Sequence, residues 1–281
     1  MKRVAFLFSV ILLLAPGAFA SPWVTSLATA QKKAKDSKQL IFVDLFADWC
    51  GWCHRFEQEV IPSAAFQNST DDKVLLRLNT EDGKDGSRFA REFGINSLPT
   101  FLVLNSDLMI AAMIRGYAPS KEFVDSMKDS LAKYNDFQKR VAGESAISGD
   151  YPKRLDLARE FTSRFGLKEG ETRLRKLITE KGAPADVRDG AYYELAVSLL
   201  LQQRADEAVK TILSFGKLQN KGEAYERARF LLAQIYMQQG NLMAAANELR
   251  SFKTQFPNSP LRAQVEVMLP GVERQLQSMK K

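Results

Sequence analysis

Leu40-Ile41-Phe42-Val43-Asp44-Leu45-Phe46-Ala47-Asp48-Trp49-Cys50-Gly51-Trp52-Cys53 is the stretch on which the fold turns. Residues 40–46 form a short apolar run of strand type, read as a strand covered on both faces. Asp44 interrupts it. An acid there either faces solvent on an edge strand or is buried for a purpose, because burying an unpaired carboxylate is costly. The two cysteines follow at once, and a polar–apolar stretch to Val60 then suits a helix. Downstream, Val74–Leu78 reads as a second strand, and Ser87–Phe93 as a short helix ended by Gly94. Phe101–Leu104 is a third strand, Asn105-Ser106-Asp107 a turn, and Met109–Ile114 a fourth strand. Ser120 is expected to cap a last helix, Lys121–Tyr134. Upstream, Ser21-Pro22 reads as a cap and first-turn proline, with Trp23, Leu27, Ala30 and Ala34 as a helical stripe ending near Ser37. Strands alternating with helices predict an α/β domain.

Cys50 and Cys53 are the chain's two cysteines, and His54 its one histidine. A cysteine pair at this spacing could be half a zinc site, a structural clip or a redox pair. Zinc takes four ligands, and His54, beside Cys53, is the one histidine that could join the cysteines. A clip closing so short a loop removes little unfolded-state entropy. The redox reading is better placed physically. A motif just after a buried strand sits at a helix N-terminus, where free N–H groups and the dipole stabilise a thiolate. Cys50 is then the exposed nucleophile, and Cys53, one turn inward, resolves the mixed disulfide.

With these residues on the page, residues 39–135 resemble the thioredoxin superfamily, whose active-site signature is matched by Trp49-Cys50-Gly51-Trp52-Cys53. Asp44 falls where that family carries a buried acid beneath the resolving cysteine, and Arg77 where many members have a lysine near it. Leu98-Pro99-Thr100 matches the cis-proline loop, and Gly116 the glycine after the last strand. The long stretch from Glu57 to Thr70 is similar to the exported branch. Trp52 stands where the family's usual proline would be. The resemblance implies that Asp44 takes and returns the Cys53 proton, and that Leu98 and Pro99 hold an extended substrate segment beside Cys50. Trp49 and Trp52 are either packing aromatics or an apolar docking rim. His54 either tunes the thiolate or is a surface histidine.

Beyond Val141–Asp150, a Gly/Ser/Ala-rich linker, no strand signal follows. Leu195, Ala196, Leu199, Ala208, Ile212 and Phe215 recur 37 residues later as Leu232, Ala233, Tyr236, Ala245, Leu249 and Phe252. Gly240 stands at the turn of the second copy and Pro257 after it, and a looser unit starts at Tyr151, with Ala158 and Phe161 in register. This rhythm resembles the tetratricopeptide repeat family, which implies a helix-turn-helix solenoid for protein binding, against a plain bundle as the alternative. Residues 21–150 carry 16 basic and 18 acidic side chains, and residues 151–281 carry 22 and 15, a change of sign that supports two units.

The chain opens with Lys2 and Arg3, an apolar run Val4–Leu14, a Pro16-Gly17 break and Ala18-Phe19-Ala20. This describes a cleaved secretory leader over residues 1–20, since the run is short of the about 20 residues a spanning helix needs. The expected organisation is a leader (1–20), an α/β thioredoxin-like domain (21–140), a linker (141–150) and an all-α, tetratricopeptide-like domain (151–281). The apolar fraction of 45% and the charged fraction of 26% exclude long disordered or fibrous architectures. The expected protein is an exported, soluble thiol-disulfide oxidoreductase, periplasmic if the source is Gram-negative, with reduction of protein disulfides the favoured direction. It needs no organic cofactor or metal beyond the Cys50–Cys53 disulfide. Its partners are exported proteins bearing disulfides or dithiols, a membrane electron donor and a protein held by the helical domain, with no nucleic acid. The alternative is an interaction scaffold for envelope assembly in which redox chemistry is secondary.

Overall fold

A computed structural model describes residues 23–217 and 222–279. The leader expected over 1–20 and the Ser21-Pro22 helix start lie outside the described residues. Nine elements make the first part: α1 (Leu27–Ser37), β1 (Leu40–Phe46), α2 (Gly51–Glu59), α3 (Ala64–Thr70), β2 (Lys73–Asn79), α4 (Asp85–Glu92), β3 (Thr100–Leu104), β4 (Ile110–Arg115) and α5 (Ser120–Ala142). The strands form one sheet in the order β2-β1-β3-β4. β1 is parallel to β2 and antiparallel to β3, and β3 is antiparallel to β4.

The inner position of β1 accounts for its apolar run. Ile41, Val43 and Leu45 point to one face, where Leu27, Ala30 and Ala34 of α1 and Phe89 of α4 cover them. Phe42 points to the other, into a core with Phe56 of α2, Phe66 of α3, Phe101 of β3 and Phe123 of α5. The rings meet closely: Phe56 lies 4.1 Å from Phe101 and 4.7 Å from Phe123 between centroids. Such pairs add about 0.5–1.5 kcal/mol each beyond the area they bury. Strand alternation puts Asp44 on this second face, under α2.

Two ends differ from the sequence expectation. α1 starts at Leu27, capped by the Ser26 hydroxyl, which accepts from the Thr29 N–H. Trp23–Thr25 precede it without helix: Val24 bridges Leu76, donating to the Leu75 carbonyl at 2.8 Å and accepting from the Arg77 N–H at 2.9 Å, which shields the outer edge of β2. At α5 the cap residue is Pro119, and the Ser120 hydroxyl instead meets that of Ser63 at 2.5 Å.

α5 also runs past Tyr134 to Ala142. Over 141–150, expected as a linker, the chain ends α5 at Gly143 and makes a 3-10 turn at Glu144–Ile147, whose Ile147 packs on the core below. Seven helices follow among the described residues: α6 (Tyr151–Ser163), α7 (Leu167–Thr179), α8 (Ala185–Leu201), α9 (Ala205–Phe215), α10 (Glu223–Gln238), α11 (Leu242–Gln255) and α12 (Arg262–Ser278). Each of these packs on the next, and α8 also meets α6 and α10. Leu195, Ala196, Leu199, Ala208, Ile212 and Phe215 are buried between them, as are Leu232, Ala233, Ala245, Leu249 and Phe252.

The two parts share a core. Leu157 and Phe161 of α6 are buried with Phe137 and Tyr134 of α5 and Met109. The Ile110 N–H donates to the Arg164 carbonyl at 2.7 Å, the Arg164 guanidinium returns a bond to the Ile110 carbonyl at 3.2 Å, and Phe165 stacks on Phe93 at 4.6 Å. No helix among the described residues is long and apolar enough to cross a membrane.

Candidate active site

Cys50 ends the loop after β1 and is the cap residue of α2; its sulfur accepts from the Cys53 N–H at 3.2 Å. One helical turn brings Cys53 back beside it, with the Cα atoms 5.2 Å apart, and the two sulfurs are bonded. The pair rests on Ala47, Phe46 and Leu98. In this disulfide state Cys50 is no more open than Cys53. Each is 3% exposed, so the expectation of an exposed Cys50 is corrected for the oxidised form. The flanking indoles carry the exposure instead, 69% at Trp49 and 56% at Trp52.

Pro99 is buried before β3, its peptide bond with Leu98 is cis, and Leu98 packs on the disulfide. The Pro99 carbonyl accepts from Gly116 N–H at 2.9 Å, where Gly116 adopts a φ of 82° that favours glycine. The Leu98 N–H and C=O have no partner among the described residues. An extended segment could therefore bond there, beside the sulfurs.

Asp44 is 3% exposed on an inner strand, not at a sheet edge. Register sets it opposite Arg77, and α2 presents Cys53, Phe56 and Glu57 on one helical face above it. Burial pushes the Asp44 carboxyl up to about 7; Arg77 opposes that shift and Glu57 adds to it. The Arg77 guanidinium forks to both Glu57 oxygens at 2.6 and 2.8 Å and lies over the Phe46 ring at 4.3 Å. Its Nε comes within 3.2 Å of Asp44 Oδ2, but at an angle that makes no hydrogen bond, and it is buried without another acceptor. The Arg77 hydrogen bonds hold Glu57 below its ordinary pKa.

The tryptophans are held from outside the motif. The Trp49 indole N–H donates to Glu81 at 2.7 Å. Trp52 stacks on Tyr117 with centroids 5.4 Å apart, and the Arg55 guanidinium lies over both rings. The Tyr117 hydroxyl donates to Glu59, which also takes the Arg55 Nε–H at 3.0 Å. His54 Nε2 is 2.9 Å from the Asp48 carbonyl, on the surface. Sequence reading missed Tyr117, Glu57 and Glu81. Tyr117 could have been found as the neighbour of Gly116, and Glu57 as one helical turn beyond Cys53; nothing local marked Glu81. No cluster that could hold a metal ion occurs among the described residues.

A family model for a thioredoxin-like domain matches residues 27–131. The thiol:disulfide interchange protein DsbD of Pasteurella multocida is 28% identical over 106 residues, covering 36% of this chain and 18% of that protein. The protein of the same name from Colwellia psychrerythraea is 31% identical over 112 residues, covering 37% and 18%. The chain thus spans under a fifth of the length of these curated relatives. Among solved structures, the oxidised C-terminal domain of DsbD from Neisseria meningitidis is 15% identical, with a TM-score of 0.35, over 39% of this chain and 99% of that one. A thioredoxin from Thermus thermophilus is 17% identical, with a TM-score of 0.37, over 41% and 90%.

Proposed function

With residues 27–131 forming a thioredoxin-like domain, we propose that this chain is an exported thiol-disulfide oxidoreductase that reduces disulfides in client proteins. The observation that carries the reading is the Cys50–Cys53 bond at the first turn of α2, beside the unpaired Leu98 main chain. In the reduced enzyme the Cys50 thiolate attacks one sulfur of a client disulfide. That bond breaks, and the client's other sulfur leaves as a thiolate and takes a proton. Cys53 passes its proton to Asp44 and attacks the Cys50 sulfur. The second client sulfur leaves and is protonated, and the enzyme keeps the disulfide. Two electrons have moved from enzyme to client, and a membrane dithiol donor restores them. Trp49 and Trp52 form the apolar rim, and Leu98 and Pro99 bind the client's extended segment. The leader-like residues 1–20 support export, and the relatives' name as interchange proteins supports thiol-disulfide exchange.

The test is reduction of insulin by the full mature chain. Wild type should precipitate the B chain and Cys50→Ser should not. Cys53→Ser should accumulate a mixed disulfide through Cys50, visible by mass spectrometry. Equal turnover by wild type and Cys50→Ser would overturn the proposal.

The second reading assigns α6–α12 to client docking, as a tetratricopeptide-like scaffold. It is supported by the basic excess of residues 151–281 and by exposed Leu213, Met243 and Val267. Met243→Glu with Val267→Glu should weaken client capture and spare insulin reduction. If Cys50→Ser leaves the biological phenotype intact, docking dominates.

A further inference from the structure

The Arg77 guanidinium stands between two carboxylates and serves them unequally. Glu57, on the surface of α2, takes its two outer N–H groups in a fork, the geometry in which arginine binds a carboxylate most strongly. Asp44, buried on β1, lies within 3.2 Å of Nε and receives no hydrogen bond from it. The Phe46 ring lies against the guanidinium and Glu57 anchors its outer edge. The cation therefore cannot turn its fork inward while Glu57 is engaged. Other groups around Asp44 are fewer. The Cys50–Cys53 disulfide is uncharged, β3 and α5 put Phe101 and Phe123 on this side of the sheet, and His54 reaches Glu57 only at 4.0 Å.

We propose that Glu57 is a positioning residue: by holding the Arg77 fork at the surface, it keeps that cation from clamping Asp44 and leaves the buried carboxyl free to accept and return a proton. The inference rests on the reading of Asp44 as proton acceptor for Cys53, yet the positioning itself is tested without turnover. A carboxylate fully clamped by arginine is a weak base, because the pair stabilises its charged form. A carboxylate buried with no cation nearby stays protonated and cannot accept. The divided arginine gives an intermediate setting, close to the neutral pH at which thiol exchange runs.

The experiment is a pH titration of the Asp44 carboxyl carbon by NMR in the full oxidised chain, where neither cysteine titrates. Glu57→Gln removes the anchor and one negative charge, and the Asp44 midpoint should fall by about one pH unit. Arg77→Gln removes the cation, and the midpoint should rise. The double variant separates the routes: if Glu57 acts through the arginine, Glu57→Gln should move the midpoint far less when Arg77 is already glutamine. A Glu57→Gln midpoint unchanged or raised would overturn the proposal, as would an equal shift in both backgrounds, which would mean direct repulsion between the carboxylates. Failure of the insulin assay with these shifts intact would count against the oxidoreductase and not against the positioning.

Discussion

Asp44 carries the clearest consequence at the scale of one residue. Its folded pKa of about 7 lies above the usual value near 4 for an aspartate, so the folded chain binds more protons than the unfolded chain between those limits. The stability tied to this group is fully present below about pH 4 and is lost as pH rises through about 7. Asp44→Asn should therefore be more stable than wild type at pH 8, by up to about 4 kcal/mol, with the difference closing toward pH 4; urea midpoints at the two pH values check it. The same variant should slow the resolution of mixed disulfide at neutral pH by about tenfold or more, read by stopped-flow quench. Tyr117 gives a prediction of another kind. Tyr117→Ala frees Trp52 from its stack, so KM for a protein disulfide should rise roughly three- to tenfold while the reduction potential stays put. The cysteine pair was legible from residue type and spacing, whereas Asp44 and Pro99 were legible through the resemblance of their positions to the thioredoxin family. Arg55, Glu57, Glu59, Glu81 and Tyr117 were not singled out. They act through contacts between separate elements, and an exposed charged or aromatic side chain has no local signature of its partner.

At the scale of elements, strands were easier to read than helix ends. β1 was legible to its last residue because both its faces are buried and Asp44 alone breaks its apolar run. Trp23 was read as part of the stripe of α1, but α1 begins at Leu27, and the main chain of Val24 is claimed by the edge of β2. The turns obey backbone sterics that the sequence states in one copy and hides in the other. Gly240, after α10, has a φ of 71°, and Gln203, 37 positions earlier after α8, has a φ of 60°. A side chain in that left-handed region costs about 1 kcal/mol. Gly240→Ala should lose about that much, and Gln203→Gly should recover part of it, both measured as shifts in the urea midpoint. Gly86, at the start of α4, is constrained by space: a Cβ there would lie 1.9 Å from the Asn79 carbonyl oxygen. Any side chain must push α4 off β2.

At the scale of the molecule, the division into two units read from the change in charge sign and the Gly/Ser-rich segment meets a shared core. Ala158 and Phe161 were read as part of a loose third repeat, but the Phe161 ring meets Phe137 of α5 edge-on at 4.9 Å and is buried with the aromatic core of the first part. The face opposite it carries Arg173, whose guanidinium lies 4.1 Å above the ring and pairs with Glu144 in the connecting turn. α6 is thus held from both sides, and the Arg164–Ile110 main-chain bond ties its end to the β4 edge. The helical part is then a structural wall of the redox part as well as its neighbour, and cutting the chain at residue 150 would strip Leu157 and Phe161 from a core they help to fill. Phe161→Ala should cost about 3–5 kcal/mol, the range for emptying a buried aromatic site. The distribution of the loss is the sharper test. Hydrogen exchange should show slow amides of α5 and β4 losing protection together with those of α6 and α7, and the redox pair should become easier to reach with a bulky thiol as the sheet edge loosens. Loss confined to α6–α12, with β4 unchanged, would show instead that the first part is complete without the helix laid against it.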